Sequence, residues 1–159
     1  LQKIYFMSRI NVGCNPQYLS DQHLIAESVE ITMISGALRK DGGIIKGKVP
    51  NQFTLGTGHI NFFKPRLQYL KNRLQSVNEE MRRRGFNPTT SLNVEEFSPI
   101  MRQDWKPSFR DTIEVRLRIE ERLKNPLKAK TGFHKYYGNP IHDMDEFCNS
   151  LKNSKLYNV

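Results

Sequence analysis

The sequence predicts a mainly α-helical single domain, and three observations carry that reading. Residues 65–86, PRLQYLKNRLQSVNEEMRRRGF, set Leu67, Leu70, Leu74, Val77 and Met81 at spacings of 3, 4, 3 and 4, one apolar stripe on a helix. Residues 20–40, SDQHLIAESVEITMISGALRK, place Leu24, Ile31 and Leu38 on one face, with Ser28 and Ser35 small enough for close packing there. Once the glycine-, proline- and asparagine-marked loops at 41–52 and 87–109 are set aside, no convincing pair of strands remains. A chain of 159 residues, 37% apolar, suits one hydrophobic core of ordinary size.

Each element has its own start and stop signals. Pro65 suits a first helical turn, and Gly85 after Arg82, Arg83 and Arg84 is a good stop; the three arginines also complement the negative helix end. Ser20 is the N-cap candidate of the 20–40 helix, with Asp21 favourable in its first turn. A different face of that helix carries His23, Glu27 and Glu30. Seven residues at about 100° each bring Glu30 within about 20° of His23 around the axis, so these polar groups form a stripe. Residues 110–124 read two ways. Ile113, Val115, Leu117 and Ile119 alternate as in a strand, whereas the Glu, Arg and Leu content, the length and the Pro126 stop favour a helix with Arg118 and Arg122 on one face. From Asn139 onward Met144, Phe147 and Leu151 give one short helical pattern, expected to pack on the outside.

Charge narrows the function. Twenty-five Lys and Arg against sixteen Asp and Glu give +9 and a pI near 9.7, which favours a polyanion partner because each neutralised phosphate releases counterions. No apolar run approaches the roughly 18 residues of a membrane span, and QKIYFM is too short for a signal-peptide core. Cys14 and Cys148 match no disulfide framework or zinc spacing, so reduced thiols in a cytoplasmic protein are expected. His23, His59, His134 and His142 are too scattered for a metal set, and no cofactor is expected. Gly56-Thr57-Gly58 lacks both the third glycine of a dinucleotide fingerprint and a phosphate-loop lysine, which leaves a tight turn at a helix start. In GFHKYYGNP, residues 132–140, Tyr136 and Tyr137 could stack on bases while Lys135 meets phosphate; a packed turn fits the same residues equally well.

Several motifs fall in one order: MSRIN at 7–11, DQHLIAE at 21–27, Glu30, GALRK at 36–40, FTLGTGHINFF at 53–63, RRGFN at 83–87 and KYYG at 135–138. Together they resemble the pyrimidine-dimer DNA glycosylase and abasic-site lyase family of T-even phages, the UV-repair endonucleases, over residues 7–141. The resemblance implies a compact three-helix domain with long loops, an N-terminal segment threading between helices, and a monomer acting on damaged double-stranded DNA in the host cytoplasm. It also implies that the methionine is removed and that the α-amine of the next residue, here Ser8, is the nucleophile. An α-amine pKa near 8 leaves a useful unprotonated fraction at neutral pH. Glu30 aligns with the family's essential carboxylate. Arg9, Gln22 and His23 fall where the family contacts DNA at the lesion, Arg118 and Arg122 where it holds phosphates, and Lys135 and Tyr136 in its aromatic-basic segment.

Departures accompany the resemblance. Two arginines and a proline near the family's glutamate are here Val29, Met33 and Thr32, a Trp-Tyr pair is Phe133 and His134, and the NPQYL segment is one residue longer. Residues 1–6 are expected to be of other origin, a vector or upstream-translation remnant ahead of Met7, and 142–159 a C-terminal extension. The alternative reading is a catalytically inactive paralogue that binds DNA or a protein.

Overall fold

The computed structural model describes residues 10–125 and 134–153. In chain order the elements are α1 (Asp21–Lys40), α2 (His59–Phe63), α3 (Leu67–Arg83), α4 (Phe109–Lys124), a two-stranded hairpin of β1 (Lys135–Tyr136) and β2 (Asn139–Pro140), and α5 (Met144–Asn153). Short 3-10 turns at Pro16–Tyr18, Val94–Glu96 and Pro99–Met101 punctuate the loops. The fold is mainly α, with three long helices and two short ones among the described residues.

Helix α1 begins where its N-cap places it: the Ser20 side chain accepts a hydrogen bond from His23 N, satisfying one of the unpaired donors of the first turn. It packs on α3. Leu24, Ile31, Ile34 and Leu38 meet the same core as the α3 stripe of Leu67, Leu70, Leu74, Val77 and Met81, every one of them buried. Full burial of one such side chain is worth about 1.5–3 kcal/mol, so this seam is the main source of stability. Helix α3 starts two residues later than its sequence suggests. Pro65 precedes it, and Arg66 and Pro65 instead engage the 102–103 segment through an isolated bridge to Arg102 and a bond from Gln103 N to Pro65 O.

The ambiguous 110–124 segment is a helix, and a local device explains the choice. The Ser108 side chain accepts from Asp111 N while the Asp111 carboxylate accepts from Ser108 N, a capping box that fixes a helical start whatever the alternation downstream. The C-terminal pattern also forms a helix, yet it does not merely lie outside: Cys148 and Leu151 are buried in the common core, and α5 packs on α4. The hairpin, absent from the sequence reading, turns on Tyr137 and Gly138, both at positive φ (51° and 77°), as a type I′ turn requires.

The N-terminal chain runs through the interior. Ile10, Asn11, Val12 and Cys14 are all buried. At Gly13, with φ 72°, an added Cβ would lie 1.9 Å from Thr112 Oγ1 on α4, so only glycine lets the backbone pass there. Both cysteines are free thiols, and burial pushes Cys14 up to about 12.

Candidate active site and nucleic-acid interface

The polar stripe of α1 is the floor of the site. Its middle member, Glu27, is fully buried and works as a clamp. Asn11 N and Nδ2 each donate to it at 3.0 Å, and Arg73 from α3 donates from Nε and Nη2 at 2.6 and 3.0 Å. Arg73 also reaches Cys14 O from Nη1 at 2.5 Å. Burial works against the Arg73 charge, but the Glu27 carboxylate overrides it and holds the guanidinium above its usual range. One step earlier in the chain, Ile10 N donates to His59 Nε2 at 3.3 Å while His59 Nδ1 donates to Thr54 O at 2.7 Å. The carbonyl can only accept, so the His59 tautomer is fixed and its Nε2 accepts from the thread. His59 stands where Gly58, at φ 95° with Pro50 Cγ only 2.6 Å from an added Cβ, starts α2.

Glu30 lies one turn beyond Glu27, about 4.5 Å further along the axis. It is buried too. The two carboxylates lie on one side of the helix, a turn apart, and Glu27 anchors residues 11–14.

Toward the start of α1 the other sequence-chosen residues gather. His23 stacks on His134 (ring centroids 5.7 Å apart, planes 20° apart), and burial, His134 and Arg122 together push its pKa down to about 3. Arg122, one turn past Arg118 on α4, is near enough to act electrostatically on His23. Burial likewise lowers the His134 pKa. Gln22 Oε1 accepts from Lys135 N at 2.9 Å, which fixes the hairpin and leaves the Lys135 side chain exposed. Tyr136 donates its hydroxyl to Gln17 O at 2.8 Å, and its ring faces the Arg84 guanidinium at 4.7 Å. Ser8 and Arg9 lie outside the described residues.

Arg84 is the residue whose importance the sequence concealed. Its side chain is fully buried, donates to Asp21 Oδ1, Glu80 Oε1 and the carbonyls of Pro16, Gln17 and Leu19, and lies 4.7 Å from both the Tyr136 and Tyr137 ring centroids. Asp21 in turn accepts from Tyr137 N and Gly138 N, and Glu80 accepts from the Tyr137 hydroxyl. One guanidinium thus ties together the 16–20 turn, α1, α3 and the hairpin. A signal for Arg73 was present: it falls between Leu70 and Val77 on the buried stripe, where an arginine must find an anion. Nothing local marks Arg84, whose partners come from four separate segments.

The region near the carboxylate is partly apolar. Val29 is 45% exposed, and Thr32 and Met33 are partly exposed beside it.

The chain is thus a basic, mainly α-helical domain whose N-terminal thread is clamped to one polar helix face. The family model of pyrimidine dimer DNA glycosylases matches residues 7–94, more than half of the chain, and the chain belongs to that family. Its kind is therefore that of a DNA-repair glycosylase, with DNA as the substrate class. The match spans the thread, α1, α2 and α3; Arg118, Arg122, Lys135 and Tyr136 lie beyond it.

Proposed function

We propose that this chain is a DNA glycosylase with abasic-site lyase activity, acting on pyrimidine dimers or a related lesion through an imine formed by the α-amine of Ser8. The observation that carries the reading is the clamp of residues 10–14 on His59, Arg73 and Glu27, the last one turn before the buried Glu30 on α1. Two peptide units span at most about 7 Å, so a Ser8 amine is confined to that distance from the anchored Ile10 backbone. Positioning a nucleophile in this way replaces a bimolecular encounter by a local one.

In the proposed steps the neutral amine attacks the sugar C1′, and the C1′–N bond to the base breaks with its electron pair leaving on the base. The nitrogen then loses a proton as the ring opens, giving a protonated imine. Removal of a C2′ proton expels the 3′ phosphate by elimination, which cuts the strand, and water later hydrolyses the imine to free the enzyme. Glu30 is the group proposed to hand protons to the ring oxygen and take them from carbon, from a buried position on α1. Arg9 and Gln22 contact DNA at the lesion, His23 donates to it, Arg118 and Arg122 hold phosphates, and Lys135 reaches a further phosphate from a hairpin that Tyr136 and Gln22 hold still. The chemistry requires Ser8 to begin the chain, because a nitrogen in peptide linkage to Met7 is an amide and forms no imine.

Exposed Val29 favours a second reading, a DNA-binding paralogue without catalysis, since an apolar side chain there offers phosphate nothing. One assay separates the two. Protein with Ser8 verified as first residue by intact mass is incubated with duplexes carrying a thymine dimer, an abasic site or no damage, with and without borohydride. The enzyme nicks the damaged duplexes and leaves a reduced covalent adduct. Binding without nick or adduct on any damaged duplex supports the paralogue.

A further inference from the structure

We infer that Ser20 is a positioning residue: its buried hydroxyl holds the His23 ring in the tautomer that carries hydrogen on Nε2, so that His23 offers DNA a neutral donor. The part played toward DNA rests on the function proposed above; the tautomer does not.

Ser20 Oγ is 3.2 Å from His23 N and 2.7 Å from His23 Nδ1, and among the described residues its side chain has no other partner. Ser20 is fully buried. A hydroxyl has one hydrogen and two lone pairs. Were Nδ1 protonated, Oγ would accept twice, and its own hydrogen would be buried with no acceptor, an unsatisfied donor that folding penalises. With Oγ–H donating to Nδ1 and a lone pair receiving His23 N–H, every group is satisfied. Nδ1 is then bare and the ring hydrogen is on Nε2.

The surroundings keep that ring uncharged. Burial is the largest influence against a second proton; His134, stacked on the ring from the segment before the hairpin, and Arg122 on α4 act the same way, and on its own helix Glu27, one turn on, is tied to Arg73. His23 therefore adds direction without charge. A neutral donor releases no counterion, so its loss weakens DNA binding equally at every salt concentration, whereas loss of Arg122 flattens the salt dependence.

Long-range proton–nitrogen correlation spectra of the full chain without DNA read the tautomer. The expected result is His23 with hydrogen on Nε2; hydrogen on Nδ1 overturns the inference. Ser20→Asp keeps an N-cap acceptor but brings no hydrogen to Nδ1. The ring then takes its hydrogen on Nδ1, and the adjacent carboxylate raises its pKa. Above that pKa Nε2 is a bare acceptor; below it the charged ring donates again. Affinity of Ser20→Asp for a duplex bearing a tetrahydrofuran abasic analogue, relative to the unsubstituted protein, is expected to fall about tenfold as pH rises through that pKa. Ser20→Thr, which keeps the hydroxyl, restores the original profile. A switched tautomer with an unchanged pH profile would remove the positioning role. If the unsubstituted protein shows no preference for the damaged duplex, the proposed function fails, and the spectra still decide the tautomer.

Discussion

Helices α1 and α3 are joined by charge as well as by oil. Glu27–Arg73 is sealed at 2.6 Å with both side chains buried, and Arg84 bridges Asp21 and Glu80 with no exposure at all. Helices α4 and α5 share apolar contacts of the same kind, through Val115, Ile119, Leu123, Cys148 and Leu151, but of their polar ties one lies in water and the other is long, from exposed Lys152 to a largely buried Glu120. Lys124–Asp145, at 3.0 Å, joins side chains 45% and 83% exposed, and Lys152–Glu120 spans 3.9 Å. The difference assigns tasks. Buried arginines fix the thread to the polar face of α1, because each would be left as an uncompensated charge if its partner moved. On the function proposed above, the α4–α5 side has Arg118 and Arg122 to hold toward phosphate, and looser contacts suffice for that.

Breaking this contrast should produce effects in a definite order. Glu30→Gln, on the rigid pair, is expected to slow strand scission at least about a hundredfold in single-turnover assays while leaving the thermal midpoint and damaged-duplex affinity near their original values. A parallel collapse of folding would assign Glu30 to the scaffold instead. Arg73→Met leaves Glu27 buried and unpaired, which costs about 3–5 kcal/mol and lowers the midpoint by about 10 °C in calorimetry. Adding Glu27→Leu to Arg73→Met should recover most of that loss, whereas Asp145→Ala on the solvated pair should not move the midpoint measurably.

Smaller effects probe the DNA face. Arg118→Ala and Arg122→Ala should each reduce the slope of log affinity against log salt by about one, with the fold intact. Val29→Arg should raise that slope by about one and strengthen binding; no gain would mean that DNA does not pass over this part of α1. Last comes acid stability. His23 has a folded-state pKa pushed down to about 3 from an ordinary 6.5, so its contribution is fully present above about pH 6.5. As pH falls from there toward 3 the unfolded chain gains a proton that the folded ring refuses, and stability drops by at most about 1.4 kcal/mol per pH unit. His23→Gln should remove that part of the slope in denaturant titrations between pH 7 and 4.

The sequence made the helices legible and hid their ties. The α3 stripe and the Ser20 cap are local patterns, read from spacing and residue type alone, and both fold as expected. Residues 110–124 were ambiguous because their alternation and their composition disagreed; the capping box at Ser108 and Asp111 lies at the very edge of that window. The stripe of His23, Glu27 and Glu30 was visible, but not that its members differ. Glu27 is claimed by Arg73, 46 residues away, and by Asn11, and no periodicity encodes such a pairing. The arginines at 82–84 were read as one electrostatic group at a helix end. In the fold Arg82 and Arg83 are exposed there while Arg84 is the buried hub, a distinction set by partners at 16–21 and 136–137. The aromatic-basic segment divides similarly: Lys135 stays in solvent, and Tyr136 is committed to Gln17 and Arg84.

The central claim is that a clamped thread delivers a primary amine to the sugar beside Glu30. Its most direct test maps the bond itself: protein beginning at Ser8 is trapped with borohydride on an abasic duplex, digested with protease and nuclease, and the adduct is located by peptide mass spectrometry. The account requires the sugar remnant on the α-nitrogen of Ser8. A remnant on a lysine side chain, or no adduct where strands are nicked, would contradict it.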